Sequence, residues 1–374
     1  LRGRGPNREL KGQNENRRMS IQVIDQADPE NLGRFDAIID VRSPAEFADD
    51  HVPGAQNLPV LSNEERAEVG AIYVQRSAFL ARRIGAAHVA RNVAHHLETA
   101  LAEQPASFAP LVYCWRGGQR SSAMATILSQ VGWRASLLQG GYRTYRRRVS
   151  RRLYDDPCPM RLILLDGGTG SAKSEILVRL AALGLQVLDL ESLAGHRGSL
   201  FGGFASCPQP RQKMFESRLL AALDALDPEK PVIVEAESSR IGDLFIPPAL
   251  WTAMRDAARI EIIAPRAERA RYLVGAYGDI VANRPALEAA FSRLPTHPGR
   301  ERLDGWRRLA DAGEFEALAE ALIALHYDPA YARSARKDAR PRSLMITLDT
   351  LEAAAQAAAA ESIAGWVKAE YPTP

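Results

Sequence analysis

The chain has 374 residues, 46% of them hydrophobic and 25% charged, and a formal net charge of only +3. That length exceeds what one ordinary core fills and points to two domains, while the near-balanced charge excludes binding of polyanions through bulk charge alone. There is no run of about 18 apolar residues, which excludes a membrane-spanning helix. Three widely spaced cysteines, Cys114, Cys158 and Cys207, exclude a disulfide framework and a structural zinc and fit a reducing, cytoplasmic setting.

In chain order, residues 1–18 have no apolar core and read as a tag or leader, with Met19 as the natural start. Residues 19–145 alternate strand and helix signals. A strand over 36–41 (DAIIDV) ends in the polar turn Arg42-Ser43-Pro44, followed by a short helical AEFADD and the extended HVPGAQNLP. Helices are predicted near 64–75 and 77–103, then the strand LVYC, a helix carrying Met124, Ile127 and Leu128, and a last strand over 136–138 before Gly140-Gly141. Such alternation predicts a parallel sheet covered on both sides.

Residues 146–158 read as a basic linker. Arg143, Arg146, Arg147, Arg148, Arg151 and Arg152 crowd this stretch against Asp155 and Asp156. Two readings stand side by side: a solvated linker helix, or a strip that meets nucleic-acid phosphates, which the arginine fork suits.

A second βα series fills 159–345. It comprises a strand RLILLDG, a Gly-rich loop, a helix to Leu183 stopped by Gly184, a strand LQVLDLE and a Gly-rich loop over 195–203. A helix over about 211–226 follows, then the strands PVIVEAES and RIEIIA and a mostly helical remainder, with 346–374 as a C-terminal helix.

Two loops carry the chemistry. YCWRGGQRSS (113–122) joins an apolar strand to a helical pattern, so backbone N–H groups and the helix dipole point at whatever the loop holds. A cysteine there beside Arg116 and Arg120 is expected to be largely thiolate, which makes Cys114, Arg116 and Arg120 the catalytic candidates. The bland alternative is a buried inert cysteine, which needs neither two arginines nor a Gly-Gly pair.

GGTGSAKS (167–174) matches G-x-x-x-x-G-K-[ST] except at Ala172. Gly167, Gly168, Thr169, Gly170, Ser171, Lys173 and Ser174 are the phosphate-binding candidates, with Ser174 placed to hold Mg²⁺. The Ala172 methyl is expected to crowd the cradle. Glu235 and Glu237 end a later strand on one face, as a metal-side acid or as two exposed charges. Asp189, Glu191, His196 and Arg197 surround a Gly-rich loop that reads as one moving over a substrate.

IDVRSPAEFADDHVPGAQNLP followed by CWRGGQRS resembles a rhodanese domain over about 20–145. The resemblance implies that Cys114 carries a transferable chalcogen, that Asp40 and Arg42 brace the sheet end, and that His51 and Gly54 shape the adjoining turn. Five residues separate Cys114 from Arg120 where many rhodaneses have four, implying a wider cradle. DLESLAGHRGSLFG, QPRQKMFE, VEAESSRIG and HYDPAY then follow in an order that resembles the tRNA 2-selenouridine synthase family over nearly all of 20–345.

That resemblance implies an α/β chain: an N-terminal rhodanese-like domain plus a C-terminal P-loop NTPase-like parallel-sheet domain with extra helices. It implies a transferase acting on wobble 2-thiouridine of lysine, glutamate and glutamine tRNAs, with geranyl diphosphate, selenophosphate and Mg²⁺. An ATP-dependent tRNA sulfurtransferase or kinase-type fusion without prenyl transfer stays open beside it, as does a non-enzymatic RNA-binding adaptor.

Overall fold

The computed structural model describes residues 21–199, 202–203, 208–292, 299–337 and 342–372, the side chains of 334–337 excepted. The expected leader, Cys207 and part of the Gly-rich loop lie outside these residues. The described chain divides into two compact units, one ending at Phe47 and resuming from Gly54 to Tyr145, the other formed by Ala48–Pro53 and the chain from Arg146 onward.

The first unit is built on five parallel strands, β1 (Gln22–Ile24), β2 (Ala37–Asp40), β3 (Gln56–Asn57), β4 (Pro110–Tyr113) and β5 (Ser136–Leu138), in the order β1-β5-β4-β2-β3. Central β4 is buried at every residue, which is why LVYC reads as a continuous apolar run rather than an alternating one. Helix Ala78–Glu98 starts at Ser77, whose side chain accepts from the Leu80 amide, and buries Ala81, Gly85, Val89, Val93 and His96 along one stripe. Helix Gln119–Val131 buries Ser121, Met124, Ala125 and Leu128 and stops at left-handed Gly132. Ile39, Val93, Val112, Met124 and Leu128 meet in the core. The sequence predicts the long helix to run to 103. It ends at Glu98, because the chain turns back to bury Leu101 through a Leu101 N–H to His96 carbonyl bond.

The second unit has its own parallel sheet of β6 (Arg161–Gly167), β7 (Gln186–Leu188), β8 (Pro231–Glu235), β11 (Ala258–Ile263) and β12 (Leu344–Thr347), in the order β12-β11-β6-β8-β7. Between β8 and β11 lies a small antiparallel hairpin, β9 (Arg240–Ile241) and β10 (Leu244–Phe245). From β6 the chain runs to the β7 edge, returns through β8, and crosses to the opposite side at β11. That reversal leaves a crevice at the carboxyl end of β6, the place where open α/β sheets bind ligands. Helix Lys173–Ala182 and helix Ala353–Glu370 pack together on this sheet, burying Ile176, Leu180, Ala360 and Ile363 with Ile163 and Ile233.

Two expectations change here. The C-terminal segment is not an appendage, since β12 extends the sheet and the last helix buries Ala359, Ala360, Ile363, Ala364 and Val367. The stretch read as a linker is helix Tyr142–Ser150 running into a wide turn of helix at Arg151–Asp155, anchored by buried Val149 and Leu153. Further helices between Arg266 and Lys337 close around a separate core of Phe291, Trp306, Leu318 and Leu322.

Candidate active site

In the first unit the cysteine loop hangs between the end of β4 and helix Gln119–Val131. Cys114 is 3% exposed. Its Sγ lies 3.2 Å from the Gly118 amide nitrogen and 3.2 Å from Ser121 Oγ. Burial pushes the thiol pKa up, but the hydroxyl of Ser121 and the amides of Ser121, Gly118 and Arg116 outweigh it and hold it below the ordinary thiol value.

The arginines play a different part from the one expected. Arg120 donates to Glu46 Oε2 at 2.8 Å, and Arg116 is exposed. The depressed pKa belongs to Ser121 and the loop amides, and Ser121 was missed because one hydroxyl in QRSS carries no sequence signal of its own.

The back of this loop is pinned by the Gly140-Gly141 turn. Gly141 has φ +58, and a Cβ there would stand 2.1 Å from the Cys114 carbonyl oxygen, so only glycine permits the approach. Beneath it, buried Arg42 is clamped by Asp40 at 2.6 Å and lies 4.1 Å from the Tyr142 ring centroid. The Tyr142 amide donates to the Cys114 carbonyl at 2.8 Å. Asp40 and Arg42 thus hold the platform of the cysteine loop without touching the sulfur.

In the second unit the lysine loop follows β6 and opens helix Lys173–Ala182 at the crevice. Lys173 Nζ donates to the Gly167 carbonyl at 2.8 Å, closing the loop on itself. Ser171 Oγ is buried and has no hydrogen-bond partner among the described residues. A buried hydroxyl without a protein partner keeps its proton available for an oxygen brought into the loop.

Ala172 has φ 57 and is the only non-glycine with positive φ among the described residues. It is 2% exposed, and its methyl packs with Ile176, Leu177 and Ile260 in the core. The backbone geometry of the motif is therefore kept. The expected crowding of the cradle is not what the methyl does.

The crevice widens into a cleft of about 1120 Å³. Lys173, Ser174, Glu191 and Glu237 line its inner wall, and Tyr277 and Tyr331 are also among its lining residues. Ser174 Oγ donates to Glu191 Oε2 at 3.1 Å. The expected acidic pair separates by role. Glu235 is 0% exposed and accepts from the Leu190 amide at 2.8 Å, so it holds the start of helix Leu190–Ala194 behind the wall. Glu237 faces the cleft, and burial beside Glu191 pushes its carboxyl up to about 8. Burial raises Glu191 and Glu235 as well.

Asp189 caps that short helix through the Ser192 amide at 2.7 Å. Arg197 pairs with Asp279 at 2.8 Å and stacks 4.8 Å from the Tyr277 ring. His196 is buried and bridges to Gly203.

Three side chains on the wall were not singled out from sequence. Asp166, just before the loop, accepts from Tyr331 at 2.6 Å and pairs with Arg259 at 3.1 Å. Tyr331 belongs to the HYDPAY segment, which pointed to the right region without giving a role.

The arginine stretch is largely tied down. Arg146 pairs with buried Glu216, which also accepts from Tyr154 at 2.6 Å. Arg148 meets both oxygens of Asp224 at 2.8 Å. Arg146 and Arg148, two of the six arginines read as a strip for nucleic-acid phosphates, are thus already held by carboxylates of the same unit. Arg152 lies 4.0 Å from Asp156, and Arg151, 3.5 Å from the same carboxylate, remains 67% exposed. Arg143 and Arg147 are exposed.

A buried, hydrogen-bonded thiol at a strand–helix turn, followed in the same chain by a lysine loop at the switch point of a second parallel sheet, defines a rhodanese-like domain joined to an AAA-type α/β domain. The rhodanese-like domain profile matches residues 25–148, and that of the tRNA 2-selenouridine synthase AAA domain matches residues 160–291. The chain is 34% identical over 268 residues to the tRNA 2-selenouridine synthase of Nitrosomonas eutropha, covering 70% of this chain and 67% of that protein. The Nitrosomonas europaea protein of the same name is 36% identical, covering 62% and 61% of the two chains. That of Shewanella halifaxensis is 30% identical, covering 76% and 72%. The chain belongs to the tRNA 2-selenouridine synthase family. The matched region spans from 61% to 72% of the length of these three relatives.

Among the described residues no helix is long and apolar enough to cross a membrane, and no group of three or more His, Cys, Asp or Glu side chains gathers as a metal cage.

Proposed function

We propose that the protein modifies wobble 2-thiouridine of tRNA to 2-selenouridine in two displacements, one at each loop. In the first, the thiocarbonyl sulfur attacks C1 of geranyl diphosphate. A C–S bond forms, the C–O bond to diphosphate breaks, and N3 gives up its proton. In the second, selenium of selenophosphate attacks C2. The C–Se bond forms, geranylthiol departs with a proton, and water cleaves Se–P to release phosphate. S-alkylation turns a poor leaving group into a thiol, which is why the order is alkylation first.

The observation that carries this reading is the division of labour between the two loops. Lys173, the loop amides and the unpartnered Ser171 hydroxyl suit a departing diphosphate. Cys114, a softened thiol held by Ser121 and Gly118, suits the handling of selenium. Mg²⁺ fits the second site as a shared ion: Ser174 and one of Glu191 or Glu237 would hold it together with the diphosphate, and it would neutralise leaving-group charge. Burial and the neighbouring Glu191 raise the Glu237 carboxyl against the opposing charge of Lys173, and a divalent cation held there would offset the repulsion between the two carboxylates.

The test is nucleoside mass spectrometry of 2-thiouridine tRNA incubated with the purified chain and both donors. S-geranyl-2-thiouridine followed by 2-selenouridine supports the reading. Unmodified 2-thiouridine with both donors present and the protein folded overturns it.

A further inference from the structure

A second, apolar cavity adjoins the lysine-loop cleft. It has a volume of about 70 Å³ and is lined chiefly by Leu273, Val274, Ile280, Leu287, Leu318 and Leu322. Its polar lining is confined to Thr169 of the lysine loop, Ser199, Tyr277 and Tyr327. Four of these groups, with Leu273, line the large cleft as well, so the two spaces share a wall.

That shared wall is held against the loop. A Cβ on Gly170 would stand 2.8 Å from Leu273 Cγ, so the missing side chain lets the helix Arg266–Ala276 lie directly on the anion cradle. Arg269, one turn earlier on this helix, donates to the Thr169 carbonyl at 2.9 Å and to Asp328 at 2.8 Å. Ser199 Oγ and Tyr277 Oη stand 2.7 Å apart, so one hydroxyl donates to the other at the wall the two spaces share.

We infer that this slot receives the hydrocarbon tail of an alkyl diphosphate whose head lies in the lysine loop, and that Leu318, Ala319 and Leu322 set the chain length accepted. The inference rests on the reading of the lysine loop as a prenyl-donor site and adds where the tail goes. A nucleotide is the wrong occupant for the slot, because a base and ribose bring polar edges that six aliphatic side chains leave unpaired. An unsaturated hydrocarbon brings none. The slot is also small, about 70 Å³, so it closes around a short hydrocarbon tail rather than a long one.

The experiment is calorimetric titration of the full chain, with Mg²⁺, against inorganic pyrophosphate, ATP and the C5, C10 and C15 prenyl diphosphates. For the parental chain, the C10 donor should bind at least about tenfold more tightly than pyrophosphate, given the apolar surface it buries, and more tightly than the C15 donor. Ala319→Phe should fill the slot, keep the pyrophosphate affinity and cut the C10 advantage to less than about threefold. Leu318→Ala should open it and move the preference toward C15. If the parental chain prefers C10 and Ala319→Phe keeps the full preference, the tail lies elsewhere and the slot assignment falls while the prenyl-donor reading stands. If the parental chain binds C10 no better than pyrophosphate, or binds ATP better than any prenyl donor, the prenyl-donor reading falls and takes the slot with it.

Discussion

Ser121 Oγ stands 3.2 Å from Cys114 Sγ and 3.1 Å from the Gly118 carbonyl oxygen. A hydroxyl has one proton, so it can serve the carbonyl while the sulfur is a thiol and turn to the sulfur once it is a thiolate. The Gly118 amide donates to the sulfur as well. Because this support acts on the charged form, Ser121→Ala should raise the midpoint of the pH–alkylation profile of Cys114 by about one unit, the order of one hydrogen bond to a charged group. The linkage follows the sign of the lowered pKa. The stabilisation from the ionised thiol is complete above the unfolded thiol range and is lost as pH falls through the folded value. Iodoacetamide kinetics across pH measure the shift, and an unmoved midpoint contradicts the role given to Ser121.

Glu237 acts in the opposite sense. Its carboxyl is pushed up to about 8 by burial beside Glu191, from 4.5 in the unfolded chain. Between those values the folded protein holds more protons than the unfolded one, so stability falls as pH rises through this window. Glu237→Gln should flatten the decline in denaturant-derived stability between about pH 5 and 8, leaving only what Glu191 and Glu235 contribute. A slope equal to that of the parental chain rules out this carboxyl as a source.

The arginines of 143–152 should divide into two groups. Arg146→Gln leaves Glu216, 2% exposed, without its cation, and should cost about 3 kcal/mol by chemical denaturation. Arg151→Gln, at a side chain 67% exposed, should change stability by less than about 0.5 kcal/mol. If Arg151 meets an RNA phosphate, its loss should lower the log–log salt slope of tRNA binding by about 0.9. Equal stability of the two variants would contradict the division.

How much of this was legible in the sequence depends on the range over which each feature is set. Strands buried on both faces, such as Leu111–Tyr113 and Leu162–Leu165, announce themselves as apolar runs, and both loops sit between a strand and a helix as their spacing requires. The edge strand Leu344–Thr347 has a mixed, half-exposed pattern and was taken into a helical tail. Arg146 and Glu216 are 70 residues apart in sequence, and Tyr331 and Asp166 are 165 apart; no local pattern carries such pairs. Ala172 looked like a departure from a glycine motif, and only the backbone shows that alanine adopts the left-handed conformation and sends its methyl into the core. That conformation costs about 1–2 kcal/mol, offset in part by burying the methyl.

The two-loop division of labour is tested most directly by wobble-nucleoside mass spectrometry of reactions run with Cys114→Ala and with Lys173→Ala. Lys173→Ala should leave 2-thiouridine unalkylated yet convert tRNA supplied already S-geranylated, since its cysteine loop is intact. Cys114→Ala should accumulate S-geranyl-2-thiouridine and form no 2-selenouridine. Parental levels of 2-selenouridine from Cys114→Ala, or of S-geranyl-2-thiouridine from Lys173→Ala, would contradict the assignment of one step to each loop.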